Sequence, residues 1–331
     1  MIMAQTLFIT LKQQNTDVQI DVLAPAWSLP ILQRMLEVTD VIEMPVKHGQ
    51  LSVGARYQLG KQLRQRKYDQ AIVIPRSWKS ALVPFFAHIP QRTGYRGEMR
   101  FGLLNDIRLL DKSVLTKTVQ RYVSLGLAKH DVKSLDIPHP VLEVDKHNQK
   151  ELLGRLILSL DFPVIGFMPG AEYGPAKCWP PEYFAKLAQR LIEAGHQVWI
   201  FGSDKDVQVA EEIASHVAEN GIHNLAGSTR LEDVIDLIAL CDRVVTNDSG
   251  LMHVAAAVGK DLVAIYGSST PDYTPPLSDH AKVLYLGIEC SPCFKRECPY
   301  GHYECLKNIT VDDVFSACSL SASKKGSVNT Q

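Results

Sequence analysis

Residues 243–253 read RVVTNDSGLMH, and this stretch passes directly from a strand into a helix. Arg243–Thr246 is a β-branched run, and Leu251–Val258 is apolar at helical spacing until Gly259 ends it. The next run, Asp261–Tyr266, again predicts a strand. Strand–helix–strand units of this length require parallel pairing with right-handed crossovers. The stretch therefore predicts a doubly wound α/β fold.

The same alternation extends along the whole chain. In the second half it predicts strands at Pro163–Met168 and Gln197–Phe201 and helices at Pro180–Ala194, Lys205–Ala218, Leu231–Leu240 and Thr310–Leu320. In the first half it predicts strands at Val18–Ala24, Val41–Met44, Gln70–Ile74 and Thr93–Tyr95 and helices at Ser28–Leu36, Ser52–Arg66, Lys79–Ala87 and Thr116–Lys129.

A break between two domains is predicted at Ser134–Val144, which carries two prolines and little periodicity. A chain of 331 residues is long enough for two domains. We expect one domain over residues 1–140, a second over 141–320, and a polar, disordered tail over 321–331.

The charge is divided unequally between the halves. The total of 35 Lys and Arg against 36 Asp and Glu gives a net charge of −1. Residues 1–150 hold 21 basic and 13 acidic side chains, whereas residues 151–331 hold 14 and 23. The segment 47–121 alone holds 15 basic against 4 acidic. Two halves of opposite charge predict two surfaces with different partners, and the first half favours an anionic one.

Several classes of protein are disfavoured. No apolar run approaches the roughly 18 residues that a spanning helix needs. The first residues, MIMAQTLFITLKQQ, lack the basic leader and cleavage site of a secretory signal. Seven cysteines are too few for a disulfide scaffold, so we expect a reducing cytoplasm. The glycine signatures of dinucleotide-binding and P-loop proteins are absent from the sequence.

Four loops at predicted strand ends carry glycine and polar residues. Residues 169–180 include Lys177, which can reach a phosphate, although a Gly/Pro turn with a solvated lysine is the alternative. The loops at Gly202–Asp206 and Gly227–Thr229 bear side chains that could either contact a ligand or cap the next helix. In 246–253 the helix starts immediately after Asp248. Free N–H groups there suit a diphosphate.

The quoted blocks resemble a known family. TNDSGLMHVAAA (246–257), PGAEYGPAKCWP (169–180), FGSDKD (201–206) and ALVPFFAHIPQRTGYRGEMRFGLLND (81–106) look like those of the ADP-heptose heptosyltransferases of glycosyltransferase family 9. The resemblance covers about residues 1–315. It implies the GT-B architecture, in which two Rossmann-like domains face each other across a cleft. The acceptor would lie on the N-terminal domain and the donor on the C-terminal domain.

The resemblance also implies an activity. It predicts an inverting enzyme, without metal or other cofactor, that moves L-glycero-D-manno-heptose from ADP-heptose to the inner-core heptose of Kdo-lipid A in lipopolysaccharide core synthesis. Lys177 and Asp248 are the expected catalytic residues. The expected donor-binding residues are Pro169, Gly170, Ala171, Lys177, Ser203, Asp204, Ser228, Thr229, Asp248, Ser249, Gly250 and His253.

The acceptor side of the site is expected in the basic half. Ser77, Lys79, Arg92, Arg96 and Arg100 lie in loops or helix starts that the resemblance would turn toward an anionic, Kdo-bearing lipid A. Some of them could instead be solvated surface charges. We expect peripheral contact with the inner face of the inner membrane and no nucleic-acid partner.

The sequence departs from the family at its start. Family members open with a short strand and a Gly-Asp step, and that Asp is the presumed general base. Here Met1 stands at the next position, so both the first strand and the base are expected to be absent. Two explanations are open, a start codon assigned too late or a genuine truncation.

The cysteines Cys290, Cys293, Cys298 and Cys305 form a cluster with His302. Their spacing permits a tetrahedral zinc or an iron–sulfur site, but free thiols or a labile disulfide are equally compatible. No metal is expected.

Three alternative functions are kept open. One is transfer to another heptose position by a different heptosyltransferase of the family. The second is a nucleotide-sugar epimerase of the same fold, and the third a non-catalytic ADP-sugar-binding remnant.

Overall fold

The computed structural model describes residues 1–47, 49–128, 135–217 and 220–318. The chain divides into two compact units. Unit 1 comprises Met1–Val144 and Asp272–Leu277, and unit 2 comprises Asp145–Pro271 and Ser278–Gln331. Among the residues described, no helix has the length and apolar character needed to cross a membrane.

Unit 1 combines five short parallel strands with five helices. The strands are β1 (Asp21–Ala24), β2 (Asp40–Glu43), β3 (Gln70–Ile72), β4 (Gln91–Tyr95) and β5 (Asp106–Arg108). β1 and β2 form one sheet, and the other sheet has the order β3-β4-β5. The helices are α1 (Gln5–Gln14), α2 (Leu29–Leu32), α3 (Val53–Leu63), α4 (Leu82–Phe86) and α5 (Thr118–Gly126), with 3-10 turns at Ile2–Ala4, Ala26–Ser28, Arg64–Arg66 and Trp78–Ala81.

Close packing and ion pairs hold these pieces together. α1 lies against α5, where a Cβ on Gly126 would come within 2.6 Å of the Leu7 side chain, so a larger residue there would require Leu7 to shift. Arg66 bonds the carboxylates of Asp21 and Asp40, which lie at the starts of β1 and β2. The same guanidinium lowers the pKa of Asp40. The parallel strands of unit 1 form two separate sheets. The absence of an opening strand stays a prediction.

Unit 2 is built on one six-stranded parallel sheet of order β11-β10-β9-β6-β7-β8. The strands are β6 (Val164–Met168), β7 (Gln197–Ile200), β8 (Ile222–Asn224), β9 (Arg243–Asn247), β10 (Asp261–Tyr266) and β11 (Ala281–Tyr285). The helices are α6 (Lys146–Arg155), α7 (Pro181–Glu193), α8 (Val207–Ser215), α9 (Leu231–Ile238), α10 (Gly250–Ala257), α11 (Glu304–Lys307) and α12 (Val311–Cys318), with 3-10 turns at Pro175–Lys177 and Asp204–Asp206.

The core of unit 2 explains its continuous apolar strands. β6, β7 and β9 are buried along their whole length, because helices cover both faces of a parallel sheet. Phe167, Trp179 and Phe184 are almost fully buried beside them. Parallel pairing brings the carboxyl ends of β6, β7, β8, β9 and β10 to the same edge of the sheet.

The predicted α/β class with parallel sheets is confirmed, and the differences are local. β5, β8 and β11 and the helices α6 and α11 are present but were not predicted, since they are short or weakly periodic. The predicted helix Ser28–Leu36 shrinks to four α-helical residues after a 3-10 turn. The predicted last residues of two helices, Lys129 and Ala218, and the predicted tail 321–331 lie outside the described residues.

Candidate active site

The Lys177 ammonium and the Asp248 carboxylate form an ion pair at the carboxyl edge of the sheet in unit 2. Lys177 Nζ lies 2.5 Å from Asp248 Oδ2, and Ser269 Oγ donates to the same oxygen at 2.5 Å. The Asp248 side chain is 4% exposed and that of Lys177 17%, so the pair is shielded from water. The structure thus brings together the two residues predicted to be catalytic.

Asn247, the last residue of β9, positions the loop that carries Lys177. Its Oδ1 accepts from the Trp179 backbone N–H at 3.0 Å, and its Nδ2 donates to the Pro169 carbonyl at 2.6 Å. Trp179 is fixed in turn by a bond from its indole N–H to the Ile309 carbonyl. The side chain of Asn247 is fully buried. It therefore fixes residues 169–179 to the end of β9, a role that the sequence analysis missed.

Ser249 provides an unsatisfied donor at the start of α10. It is the N-cap residue, but its side chain makes no capping bond, and its buried Oγ has no partner. A buried hydroxyl without a partner is costly unless a ligand satisfies it. The first amides of a helix also lack intrahelical acceptors. Hydroxyl and amides together can hold an anionic oxygen.

Gly250 and His253 complete the start of α10. A Cβ on Gly250 would meet nothing within 4 Å, so open space lies over this position. The imidazole of His253 is one turn further along the helix, and burial lowers its pKa although the Asp248 carboxylate acts in the opposite direction. A lowered pKa leaves the ring neutral at pH 7, where it can hydrogen-bond without adding charge.

The loop after β7 lies beside the loop after β6. Lys205 Nζ bonds the carboxylate of Glu172 at 2.6 Å, and a Cβ on Gly170 would collide with the side chain of Asp206. The backbone N–H and Oγ of Ser203 both donate to Asp206 at 2.8 Å. Ser203 is therefore the N-cap of the 3-10 turn and Asp206 accepts from it, whereas the alternative prediction was that Asp204 or Asp206 would cap the helix. Its donor-binding role, like that of the exposed Asp204, stays a prediction.

The loop after β8 continues the same edge. The Gly227 backbone N–H donates to the Gly202 carbonyl at 3.1 Å, which ties this loop to its neighbour. Ser228 is exposed, and Thr229 Oγ1 makes a long bond of 3.4 Å to the Leu225 carbonyl. Both hydroxyls can reach a ligand without breaking a strong internal bond.

The segment after β10 holds buried polar residues that the sequence analysis did not single out. Ser268, Ser269 and Thr270 are buried polar residues directly beyond β10. Ser268 Oγ has no partner, whereas the Ser268 backbone N–H donates to the Ala176 carbonyl at 3.1 Å. A strand followed by Gly-Ser-Ser-Thr was the available signal, since it matches the pattern at the other strand ends.

Residues 290–305, which we call the cysteine segment, contact the loop that contains Lys177. The Phe294 N–H donates to the Ser268 carbonyl, and the Phe294 carbonyl accepts from the Tyr173 hydroxyl at 2.6 Å. The Arg296 carbonyl accepts from the Ala176 N–H, and it lies 2.6 Å from where a Gly174 Cβ would be. Gly174 has φ +144, so this turn requires glycine.

Within the described ranges, no three or more His, Cys, Asp or Glu side chains are arranged to hold a metal ion. Cys290, Cys293, Cys298 and Cys305 are free and partly buried. Burial, with smaller effects of the other three thiols, raises the pKa of Cys305 to about 11. The Nδ1 of His302 accepts from the Glu304 N–H at the start of α11. A zinc or iron–sulfur site at this spacing stays a hypothesis. That the enzyme needs no metal stays a prediction.

The five residues predicted to bind the acceptor differ in their surroundings in unit 1. Arg92 and the 2%-exposed Arg100 bond backbone carbonyls, and Lys79 Nζ bonds the Gly49 carbonyl at 3.0 Å. Burial lowers the pKa of Arg100. Arg96 lines a cavity of about 680 Å³, and Ser77 precedes the 3-10 turn at Trp78. Their role in acceptor binding stays a prediction.

The comparisons with known proteins show the family of this chain. Residues 56–304 match glycosyltransferase family 9 (heptosyltransferase). The chain belongs to glycosyltransferase family 9. It is 46% identical to lipopolysaccharide heptosyltransferase 2 of Salmonella typhimurium, with 98% of this chain and 96% of that protein covered. The identity to the Escherichia coli K12 protein of the same name is 47%, with 95% and 93% covered.

Solved structures of the family show the same fold. The E. coli ADP-heptose lps heptosyltransferase II matches with a TM-score of 0.85 at 44% identity and covers 96% of this chain and 93% of its own. A glycosyltransferase family 9 structure from Veillonella parvula matches with a TM-score of 0.80 at 22% identity, covering 96% and 91%. The predictions of family, GT-B fold class and glycosyltransferase activity are confirmed. The relatives give no support to the epimerase alternative.

Proposed function

We propose that this family 9 enzyme transfers L-glycero-D-manno-heptose from ADP-heptose to the inner-core heptose of Kdo-lipid A, with inversion at the anomeric carbon. The observation that carries the proposal is the arrangement of polar groups at the carboxyl end of β9. There Lys177 pairs with Asp248, the Ser249 hydroxyl is unsatisfied, and the position of a Gly250 Cβ is unobstructed. The name heptosyltransferase 2 of the relatives supports the choice of substrates.

The donor diphosphate would be held at the start of α10. Its oxygens would accept from Ser249 Oγ and from the backbone N–H of Gly250, at the positive end of the helix dipole. Lys177 would move from Asp248 toward the phosphate or bridge the two. Asp248, with Ser269, would then hold the ammonium in position or accept from a heptose hydroxyl.

The reaction is a direct displacement. An acceptor hydroxyl oxygen attacks C1 of the heptose, the C1–O bond to the β-phosphate breaks, and ADP leaves with the bonding electron pair. The hydroxyl proton must pass to a general base on the acceptor side, and the residues named here do not include that base. Lys177 and the helix-start amides stabilise the charge that develops on the leaving phosphate, which is the part of the chemistry that these residues can supply without a metal.

The adenosine end would lie toward the loops after β6, β7 and β8. Pro169, Gly170, Ala171, Ser203, Asp204, Ser228 and Thr229 lie on these loops. The bond between Lys205 and Glu172 and that between Gly227 and Gly202 hold the loops side by side. Side-by-side loops at the carboxyl edge are where doubly wound sheets bind nucleotides.

Product analysis tests the proposal directly. The purified chain is incubated with ADP-heptose and a core acceptor that ends in one heptose, and the products are weighed by mass spectrometry. We expect one added heptose and an equal amount of ADP. Acceptors lacking heptose or already carrying two serve as controls for the other heptosyltransferase activities. ADP binding without any transfer would favour the remnant alternative.

We also propose a cytoplasmic enzyme in peripheral contact with the inner membrane. The acceptor is anchored there by its lipid A, and the basic half of the chain is suited to an anionic surface.

A further inference from the structure

A rigid loop in unit 1 displays two apolar side chains to solvent. Met99 is 88% exposed and Phe101 71%, whereas Arg100 between them is 2% exposed. A surface methionine or phenylalanine alone needs no explanation. Two of them held on either side of a buried arginine form a defined apolar tip, which we call the 99–101 tip.

The 99–101 tip is held in place by bonds to its own backbone. The Arg100 guanidinium bonds the carbonyls of Tyr95 and Pro75, and that of Arg92 bonds the Leu103 carbonyl at 2.7 Å. Gly97 passes so close to the chain that a Cβ would lie 2.2 Å from the Arg76 carbonyl oxygen. The apolar side chains are thus presented by a fixed loop and do not collapse onto the unit.

Positive charge and further apolar surface lie next to the loop. Arg76, Arg96 and Lys112 line the 680 Å³ cavity together with Leu109, which is 69% exposed. Its lining also includes one acidic side chain, Asp111, so the basic side chains outnumber the acidic ones there. The Arg96 N–H donates to the Arg108 carbonyl at 2.7 Å, so the start of the tip loop adjoins the residue before Leu109. The segment 47–121 that contains all of these residues has 15 basic and 4 acidic side chains.

We infer that the 99–101 tip inserts into the surface of an anionic phospholipid bilayer while Arg76, Arg96 and Lys112 contact its phosphate headgroups. Apolar side chains rimmed by basic ones fit the boundary between headgroups and acyl chains, where both kinds of group are satisfied. The inference rests on the proposed function only in that it places the enzyme at the membrane that holds its acceptor.

Vesicle flotation tests the inference with the full-length chain. The vesicles contain phosphatidylcholine alone or with about 30 mol% phosphatidylglycerol, a content chosen to give a negative surface potential. We expect wild type to bind the anionic vesicles, less at high salt, and M99S/F101S to bind at least about 10-fold more weakly, since two apolar side chains no longer enter the lipid. Ile157→Ser, at an 87%-exposed position in unit 2, is the matched control and should bind like wild type.

Phe101→Trp supplies a second readout, independent of binding strength. Its fluorescence should shift to shorter wavelength with anionic vesicles, because the indole enters a less polar environment. Unchanged vesicle binding by M99S/F101S, or no binding by wild type, would overturn the inference. So would a loss of self-association in M99S/F101S on size-exclusion chromatography, since a second copy would then be the occupant.

Turnover separates this inference from the proposed function. With a deacylated, soluble acceptor M99S/F101S should match wild type, and with the acceptor embedded in anionic vesicles it should be slower. If wild type transfers no heptose to either acceptor, the proposed function fails. The vesicle result still decides whether the 99–101 tip binds an anionic bilayer. Equal slowing of the variant on both acceptors would contradict a membrane role.

Discussion

Replacing Lys177 with Met is expected to lower kcat/KM for heptose transfer by on the order of 10²–10³-fold, the loss seen when one donor to a developing anion is removed. The Lys177 ammonium is the positively charged side chain that bonds Asp248 at the edge of β9. Met keeps the length and apolar stem of lysine but cannot neutralise the leaving diphosphate. Steady-state assays with ADP-heptose and a one-heptose acceptor give the value.

Loss of stability must be separated from loss of catalysis in this variant. K177M leaves the 4%-exposed Asp248 carboxylate with the Ser269 hydroxyl but without its cation, which is destabilising. The double variant K177M/D248N removes that buried charge, so it should recover stability in urea unfolding yet remain inactive. Lys150→Met, at an exposed position in α6 of the same unit, is the matched control and should keep near-wild-type turnover. Turnover by K177M within about threefold of wild type would refute the role of Lys177 as the stabiliser of the leaving group.

Replacing Gly250 with Ala is expected to weaken ADP binding on the order of 10–100-fold, because the methyl group would fill the space through which a phosphate reaches the amide. The folded protein itself has room for the change, since a Cβ meets nothing within 4 Å. Alanine is also the better helix former. Stability without ligand should therefore be unchanged or slightly raised, and calorimetric titration with ADP should show the loss.

Gly154→Ala provides the matched control for this variant. Gly154 lies in α6 of the same unit, and its Cβ would also meet nothing within 4 Å. It should leave ADP affinity unchanged. If G250A binds ADP as tightly as wild type, the diphosphate does not lie at the start of α10.

The sequence was sufficient to predict the central strands of unit 2, and the reason is their burial. Strands such as β9, covered by helices on both faces, must be apolar throughout, so they stand out between polar loops. The strands of unit 1 have only three to five residues and are partly exposed, so their pattern is weak. β5 and β8 were missed for the same reason.

Within the site, sequence reasoning found the residues that face a ligand but not those that hold them. Asn247 was inside the TNDSG block, but only the fold shows that its amide ties Pro169 and Trp179 to β9. Ser269 is 21 residues from Asp248 and meets it because β9 and β10 are neighbours.

The direction in which an arginine side chain points cannot be deduced from its position in the sequence. Arg92 and Arg100 looked like acceptor contacts, yet their guanidiniums bond carbonyls of their own domain. The spacing of the cysteines permits a metal site, which stays a hypothesis, and the contacts seen in residues 290–305 support the Lys177 loop. For the arginines, backbone carbonyls compete with a ligand for the same guanidinium groups.

A crystal structure of the chain with ADP would locate the diphosphate. We expect it at the start of α10, with oxygens within hydrogen-bond distance of Ser249 Oγ, the Gly250 N–H and Lys177 Nζ. The ribose and adenine should extend toward the loops at Gly170 and Thr229. A diphosphate bound elsewhere, with Ser249 Oγ still unbonded and Lys177 still paired only to Asp248, would contradict it.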